Sequence, residues 1–137
     1  MMGTIGRKNM LFGFGYFLAT LALGLFLANQ AKSGDPEWME STAKHLLGTA
    51  HAHGNLESLL NIVCGLLLCR FGAAAEGLAK AASVLLIVAA LMHSGILLIS
   101  GAGLGAALNL APVGAFSLVA AMALMMAVVA KGLPAAE

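Results

Sequence analysis

Four apolar stretches of about 20 residues divide this chain, and each is long enough to cross the hydrocarbon core of a membrane as a helix. They lie at about 11–28, 51–69, 81–100 and 110–130. Hydrophobic residues make up 61% of the 137 residues and charged residues only 9%, which is more hydrophobic and less charged than soluble domains are. We therefore predict an all-α integral membrane protein, built as a single four-helix transmembrane bundle over residues 1–137.

The segments between the stretches are predicted to be connections. The first is polar and runs from residue 30 to 48, the second reads RFGAAAEGLAK, and the third reads GAGLGAALN. Pro112 follows the third and suits the first turn of a helix. The N-terminal apolar run is longer than the core of a secretory signal, so we predict that it is the first helix.

The basic residues predict an orientation in the membrane. Lys32 and Lys44 lie in the first connection. The other basic residues lie at the opposite ends of the helices, and they are Arg7, Lys8, Arg70, Lys80 and Lys131. The positive-inside rule then predicts cytoplasmic N- and C-termini in a bacterial-type inner membrane.

The second apolar stretch begins with the polar run TAHAHGNLESLLNIVC, from residue 49 to 64. Helical periodicity arranges its polar side chains in two stripes, one of His53, Glu57 and Asn61 and one of His51, Asn55 and Ser58. Gly54, Ser58 and Gly65 supply small surfaces for close helix contact. Little of the outer turns suits lipid, so we predict that this helix is enclosed by the bundle or by neighbouring subunits.

Glu57 is the only carboxylate inside a predicted span, where an ionisable side chain costs about 2.5–3.5 kcal/mol. It needs a partner or a proton. His51, His53 and His93 fall in the same outer half of the bundle under the predicted topology. Each histidine could be structural, carry protons or ligate a metal. The sequence therefore predicts a site in this layer, or a Glu57–histidine pair that only fixes packing.

Other residue classes are assigned to packing or set aside. Cys64 and Cys69 are predicted to be apolar filler without a disulfide, and the methionines of MALMM to fill gaps in the packing. No C-x-x-C-H motif is present for covalent haem attachment. The net charge of +1, without a phosphate-binding loop or basic groove, predicts no nucleic-acid partner.

The polar run also resembles a known family, the small four-helix membrane proteins that include styrene oxide isomerase. The shared pattern is an Ala-His pair at the head of the second helix, then a glycine, then a polar residue six positions after the histidine. Here these are Ala50, His51, Gly54 and Glu57. The basic start followed by MLFGFGYFLATLALGLFLAN is similar to the family's first helix.

The resemblance implies a homotrimer that binds haem b near its subunit interfaces and isomerises a small apolar epoxide to an aldehyde. His51 inherits the role of axial metal ligand, with ferric iron as the Lewis acid. The candidate cofactor-binding residues are His51, Asn55, Ser58 and His93, and the candidate catalytic residue is Glu57. Two positions differ from the family pattern, since Glu57 replaces an asparagine and Leu97 replaces a tyrosine.

Three functions remain open from the sequence. The first is a haem-dependent isomerase acting on a small apolar substrate. The second is a haem protein for electron transfer or gas sensing, with His93 as a second axial ligand that closes the iron. The third is a haem-free conduit in which His53, Glu57 and Asn61 relay protons or bind a cation.

Overall fold

The computed structural model describes residues 4–134, and within that range every regular element is helical. The α-helices are α1 (Arg7–Ser33), α2 (Pro36–Glu40), α3 (Thr42–Phe71), α4 (Glu76–Ala90), α5 (Ile96–Gly101) and α6 (Ala111–Gly132). A π-helical turn, Leu91–Gly95, joins α4 to α5 without a break, so both belong to one long helix. The predicted all-α fold with four long helices is confirmed.

Three helical segments are long and apolar enough to cross a membrane, namely Arg7–Ser33, Thr42–Gly101 and Gly105–Gly132. The 60-residue second segment is a hairpin, because the chain turns back at the 3-10 helix Gly72–Ala75. Contacts between its two arms show the reversal. Gly101 lies against Leu47, and the Asn61 amide donates to the Leu86 carbonyl nearer the turn.

The polar segment from residue 30 to 48 connects the first two long helices as predicted, but most of it is helical, whereas a loop was expected. α1 continues to Ser33, and α3 already begins at Thr42. The side chain of Asp35 caps α2 by accepting the Glu37 backbone N–H, and Ser41 caps α3 by accepting that of Lys44. Polar residues next to an apolar stretch can thus be helical themselves, because capping side chains satisfy the first N–H groups of each new helix.

α1 and α3 pack closely because glycines line their antiparallel contact. A Cβ on Gly65 would lie 2.8 Å from the Gly6 carbonyl oxygen, and one on Gly54 would lie 2.5 Å from the Thr20 Cγ2. The predicted contact role of Gly54 and Gly65 is thus confirmed. The opposite side of α3 faces α4 and α5, and its third side is apolar and exposed, with Leu56, Leu59, Val63 and Leu66.

We expect Gly13→Ala to destabilise the bundle by about 1–3 kcal/mol through overpacking. A Cβ on Gly13 would lie 2.7 Å from Ile62 Cγ1 and 2.8 Å from the Ser58 carbonyl oxygen. Gly15→Ala is the matched control, since a Cβ there meets nothing within 4 Å. Thermal unfolding in detergent, followed by circular dichroism, should give a lower midpoint for Gly13→Ala alone. Equal midpoints would show that α1 and α3 are not in close contact at Gly13.

The apolar core lies at the end of the bundle near the hairpin turn, where α6 packs on α4. Its fully buried side chains include Leu68, Leu86 and Val128. Cys64 and Cys69 are buried and free, as predicted. Of the methionines in MALMM, Met125 is buried in this core, whereas Met126 is 73% exposed. The predicted packing role therefore fits Met125, but it does not fit Met126 or Met122, which is 40% exposed.

Candidate functional site

Glu57 is the centre of a buried polar cluster in the other half of the bundle. Its side chain is 1% exposed, and both carboxylate oxygens accept hydrogen bonds. The Nδ1 of His93 lies 2.7 Å from Oε1, and the Ser94 hydroxyl donates to Oε2. The partner that the sequence required for Glu57 is therefore a histidine from the facing helix. Two donors to one carboxylate are an arrangement suited to a buried charge.

The π-helical turn brings both partners to Glu57. It carries His93 and Ser94 at successive positions, and such wide turns within α-helices are frequent at functional sites. Gly114 of α6 packs directly on this turn, because a Cβ there would lie 2.3 Å from the His93 backbone nitrogen. The absence of a side chain at Gly114 thus lets α6 support the turn at close range.

Tyr16, the only tyrosine of the chain, completes the cluster from α1. Its hydroxyl lies 2.9 Å from Ser94 Oγ and 3.3 Å from the Ala90 carbonyl oxygen. Since Ser94 donates to Glu57, the tyrosine hydroxyl is left to donate to Ser94 or Ala90. Tyr16 and Ser94 were not predicted from the sequence. The signal for each was a polar group inside an apolar stretch, Ser94 directly after His93.

His51 faces α1 and is held there by a backbone acceptor. Its Nδ1 lies 2.8 Å from the Thr20 carbonyl oxygen, so Nδ1 carries the proton and Nε2 keeps its lone pair. Gly24 gives the ring room, because a Cβ there would lie 2.5 Å from the ring carbon Cε1. The side-chain amide of Asn55 is 3.4 Å from Nε2, and the Asn55 carbonyl oxygen accepts the Thr20 hydroxyl.

These surroundings fit a haem ligand. A ligating histidine usually donates its second ring N–H to a carbonyl or carboxylate, which fixes the ring and directs the other nitrogen to the metal. The hydrogen-bond partner of His51 Nε2 is the Asn55 amide at 3.4 Å, a long contact that a bond to iron would replace. Within residues 4–134, no three histidine, cysteine or acidic side chains are grouped so that they could hold a bare metal ion. A haem iron needs only one protein ligand of this kind.

The remaining predicted residues belong either to the cluster around Glu57 or to the group around His51. His53 is exposed and its ring lies 4.6 Å from that of His93. Ser58 is buried and donates to the Gly54 carbonyl oxygen of its own helix. No hydrogen bond or ring contact joins His51 to His93 in the part of the chain that the structure describes. The two groups adjoin at Gly54, whose added Cβ would lie near both Thr20 and Ser94.

A second polar network joins α1, α3 and α4, and of its residues only Asn61 was predicted from the sequence as a polar position. The Asn9 amide donates to Asn61 Oδ1 at 3.0 Å and to the Ser83 carbonyl oxygen at 2.8 Å, and the Ser83 hydroxyl donates to Asn9 Oδ1. Asn61 donates to the carbonyl oxygens of Glu57 and Leu86. Every side-chain group in this network has a partner, which fixes the register of α1, α3 and α4.

An apolar groove of about 480 Å³ opens beside the Glu57 cluster. His93 contributes its wall on one side, and the start of α6 contributes the other. The lining residues are His93, Leu108, Ala111, Pro112, Ala115 and Phe116. His93 is the only polar residue among them. The groove therefore presents one imidazole on an otherwise apolar surface.

Comparison of the chain with protein-family models, curated proteins and solved structures gives no match. The resemblance to the styrene oxide isomerase family accordingly rests on two sequence patterns, one around His51 and one in the first helix.

Proposed function

We propose that this protein is a membrane haem b protein in which His51 is the axial ligand. The observation that carries the proposal is the hydrogen bond from His51 Nδ1 to the Thr20 carbonyl oxygen. This bond fixes the ring and leaves the Nε2 lone pair to ligate iron. Haem bound at this position would supply a Lewis-acidic iron toward the oxygen of a small apolar epoxide. The activity proposed is isomerisation to an aldehyde, in keeping with the resemblance.

The chain's own residues would orient the cofactor and exclude water. Thr20 and Gly24 hold the His51 ring in one orientation, and Asn55 is itself held by the Thr20 hydroxyl. Glu57 is proposed as the catalytic carboxylate, held by His93 and Ser94. The apolar helices around these groups limit the access of water, which protects a cationic species formed on ring opening.

The geometry gives the two alternatives less support. His51 and His93 have their Nδ1 atoms fixed by different helices, and no contact in the described chain places them on a common iron. A proton relay through Asn61 is disfavoured because its amide donates to two backbone carbonyls, and amides neither gain nor lose a proton readily.

The absorption spectrum of the protein, purified in detergent after expression with adequate haem supply, tests the proposal. We expect a Soret band of five-coordinate or water-ligated ferric haem b. A spectrum without haem would discard the cofactor and leave the conduit, whereas a six-coordinate bis-histidine spectrum would favour electron transfer.

A homotrimer is proposed as the assembly, since the resemblance implies it. Each helix that could cross a membrane keeps exposed apolar residues, among them Leu25, Val63 and Phe116, and these could contact lipid or a second copy. Native mass spectrometry from detergent should give three chains for each particle. A monomer with full haem content would separate the cofactor from the assembly.

We propose that both termini are cytoplasmic, because five basic residues lie on that side and two on the other. In a chain whose native cysteines are buried, an impermeant thiol reagent added to intact cells should label Ser33→Cys and spare Lys131→Cys. Both positions are exposed at opposite ends of the bundle. Labelling of Lys131→Cys instead would invert the topology.

A further inference from the structure

We propose that the groove beside His93 is a binding site for a small apolar alcohol or phenol, with the His93 Nε2 as the acceptor of its hydroxyl hydrogen. The site goes beyond the haem chemistry proposed above and does not depend on haem. It follows from three features of the described chain, namely the pair that fixes the His93 ring, the support of its turn, and the composition of the groove wall.

The first feature is the Glu57–His93 pair. Nδ1 of His93 lies 2.7 Å from the carboxylate, which already accepts the Ser94 hydroxyl on its other oxygen. With a carboxylate as partner, Nδ1 is the donor, so in the neutral tautomer the lone pair of the ring is on Nε2. The His93 side chain is 20% exposed although Glu57 is 1% exposed, so the imidazole links the buried carboxyl group to the surface. For a ligand in the groove, Glu57 is therefore a positioning residue, and His93 is the group that meets the ligand.

The second feature is the support of the turn that carries His93. The π-helical turn widens the helix at residues 91–95, and α6 approaches its backbone at Gly114 within a distance that no Cβ permits. The position of the ring is thus fixed by the backbone of two helices as well as by Glu57. A fixed acceptor binds a hydroxyl with less loss of side-chain entropy than a mobile one.

The third feature is the wall opposite His93. Pro112 and Phe116 lie one helical turn apart at the start of α6 and provide flat apolar surface suited to a ring or a short hydrocarbon. One hydrogen-bond acceptor in an apolar groove selects a molecule with one donor at its end. A lipid acyl chain would fill the apolar wall and leave the acceptor unused, so the single imidazole favours the alcohol over lipid.

Alkylation with 2-bromoacetophenone tests the site on the full-length protein in phosphatidylcholine nanodiscs. The Nε2 lone pair forms a C–N bond as the C–Br bond breaks and bromide leaves, and the resulting ring cation keeps its Nδ1–H on Glu57. Peptide mass spectrometry should find His93 labelled several-fold faster than exposed His53, whose ring lies beside it without an acidic partner in the described structure. Equal rates at the two histidines would overturn the proposal.

Protection experiments identify the ligand class. An excess of 2-phenylethanol should slow labelling of His93, while ethylbenzene, which has the same ring and no hydroxyl, should protect much less. Equal protection by both compounds would show an unselective apolar surface, and no protection by either would show a groove already filled by lipid or a second copy. Either result overturns the assignment.

Two variants separate the roles within the site. Glu57→Gln should slow the labelling of His93 several-fold, and Glu76→Gln, which changes an exposed glutamate, should not. Phe116→Ala should reduce protection by 2-phenylethanol while labelling continues, and Phe14→Ala, another exposed phenylalanine outside the groove, should retain protection. If Phe116→Ala protects as well as wild type, the alcohol does not bind in the groove.

The Soret band recorded on the same samples distinguishes this site from the proposed function. Selective labelling of His93 without a Soret band supports the groove site and discards haem. A Soret band with unselective labelling supports haem and discards the groove site.

Discussion

Replacing His51 with alanine is expected to abolish the Soret band of the purified protein or to shift it. Alanine removes the Nε2 donor, and no other histidine of the described chain has its second ring nitrogen fixed on the α1 backbone. The variant should retain less haem because it lacks the ligand bond, and the haem content per chain measures this loss. His53→Ala is the matched control two residues away, and its spectrum should equal that of wild type.

Two further variants sharpen the test of His51. Gly24→Ala should also weaken haem binding, because its Cβ would lie 2.5 Å from the His51 ring and would force the ring away from its present position. His93→Ala should leave the coordination of the iron unchanged. Loss of haem from His53→Ala alone would move the ligand to the other stripe. A change from six to five coordination in His93→Ala would favour electron transfer, because an iron closed by two histidines has no position left for an epoxide oxygen.

Glu57→Ala is expected to cause the largest loss of stability of any acidic substitution in the described chain. It leaves the His93 Nδ1 without its acceptor, at a cost of about 1–3 kcal/mol, and leaves the Ser94 hydroxyl with only the Ala90 carbonyl oxygen at 3.1 Å. Unfolding in a mixed detergent titration, followed by circular dichroism, measures the change in the free energy of unfolding.

The controls use one similar glutamate and one conservative change. Glu76→Ala removes a solvent-exposed pair with Lys80 and should leave the midpoint unchanged. Glu57→Gln keeps the shape and one acceptor oxygen, and should lose less stability than Glu57→Ala. If Glu57→Ala unfolds at the same midpoint as wild type, the cluster around Glu57 does not contribute to the fold.

Much of the site's composition could be predicted from the sequence, whereas its pairing could not. The isolated Glu57 in an apolar stretch required a partner, and the candidates were histidines. Which histidine it would be depended on a contact between residues 36 apart in the chain. Periodicity gives the angle of a side chain around its own helix, but the facing residue is set by the length of the turn and by how the helices cross.

The network of Asn9, Asn61 and Ser83 shows the same limit more clearly. Asn9 precedes the predicted first span, and Ser83 is one small hydroxyl in the third, so neither residue carried a signal by itself. They meet because the Gly6, Gly13 and Gly65 backbones let α1 approach α3 closely. Their hydrogen bonds join residues 52 and 74 positions apart.

The sequence by itself determined that the chain forms four long apolar helices, because apolar stretches of this length leave the backbone few other ways to satisfy its N–H and C=O groups in a membrane. It also required that Glu57 be paired. Only the tertiary structure decided that His93 and Ser94 are its partners, that Tyr16 joins them, and that His51 is held by α1. The reason is physical: a π-helical turn and close glycine contacts set these positions, and both depend on packing between distant segments rather than on the local pattern.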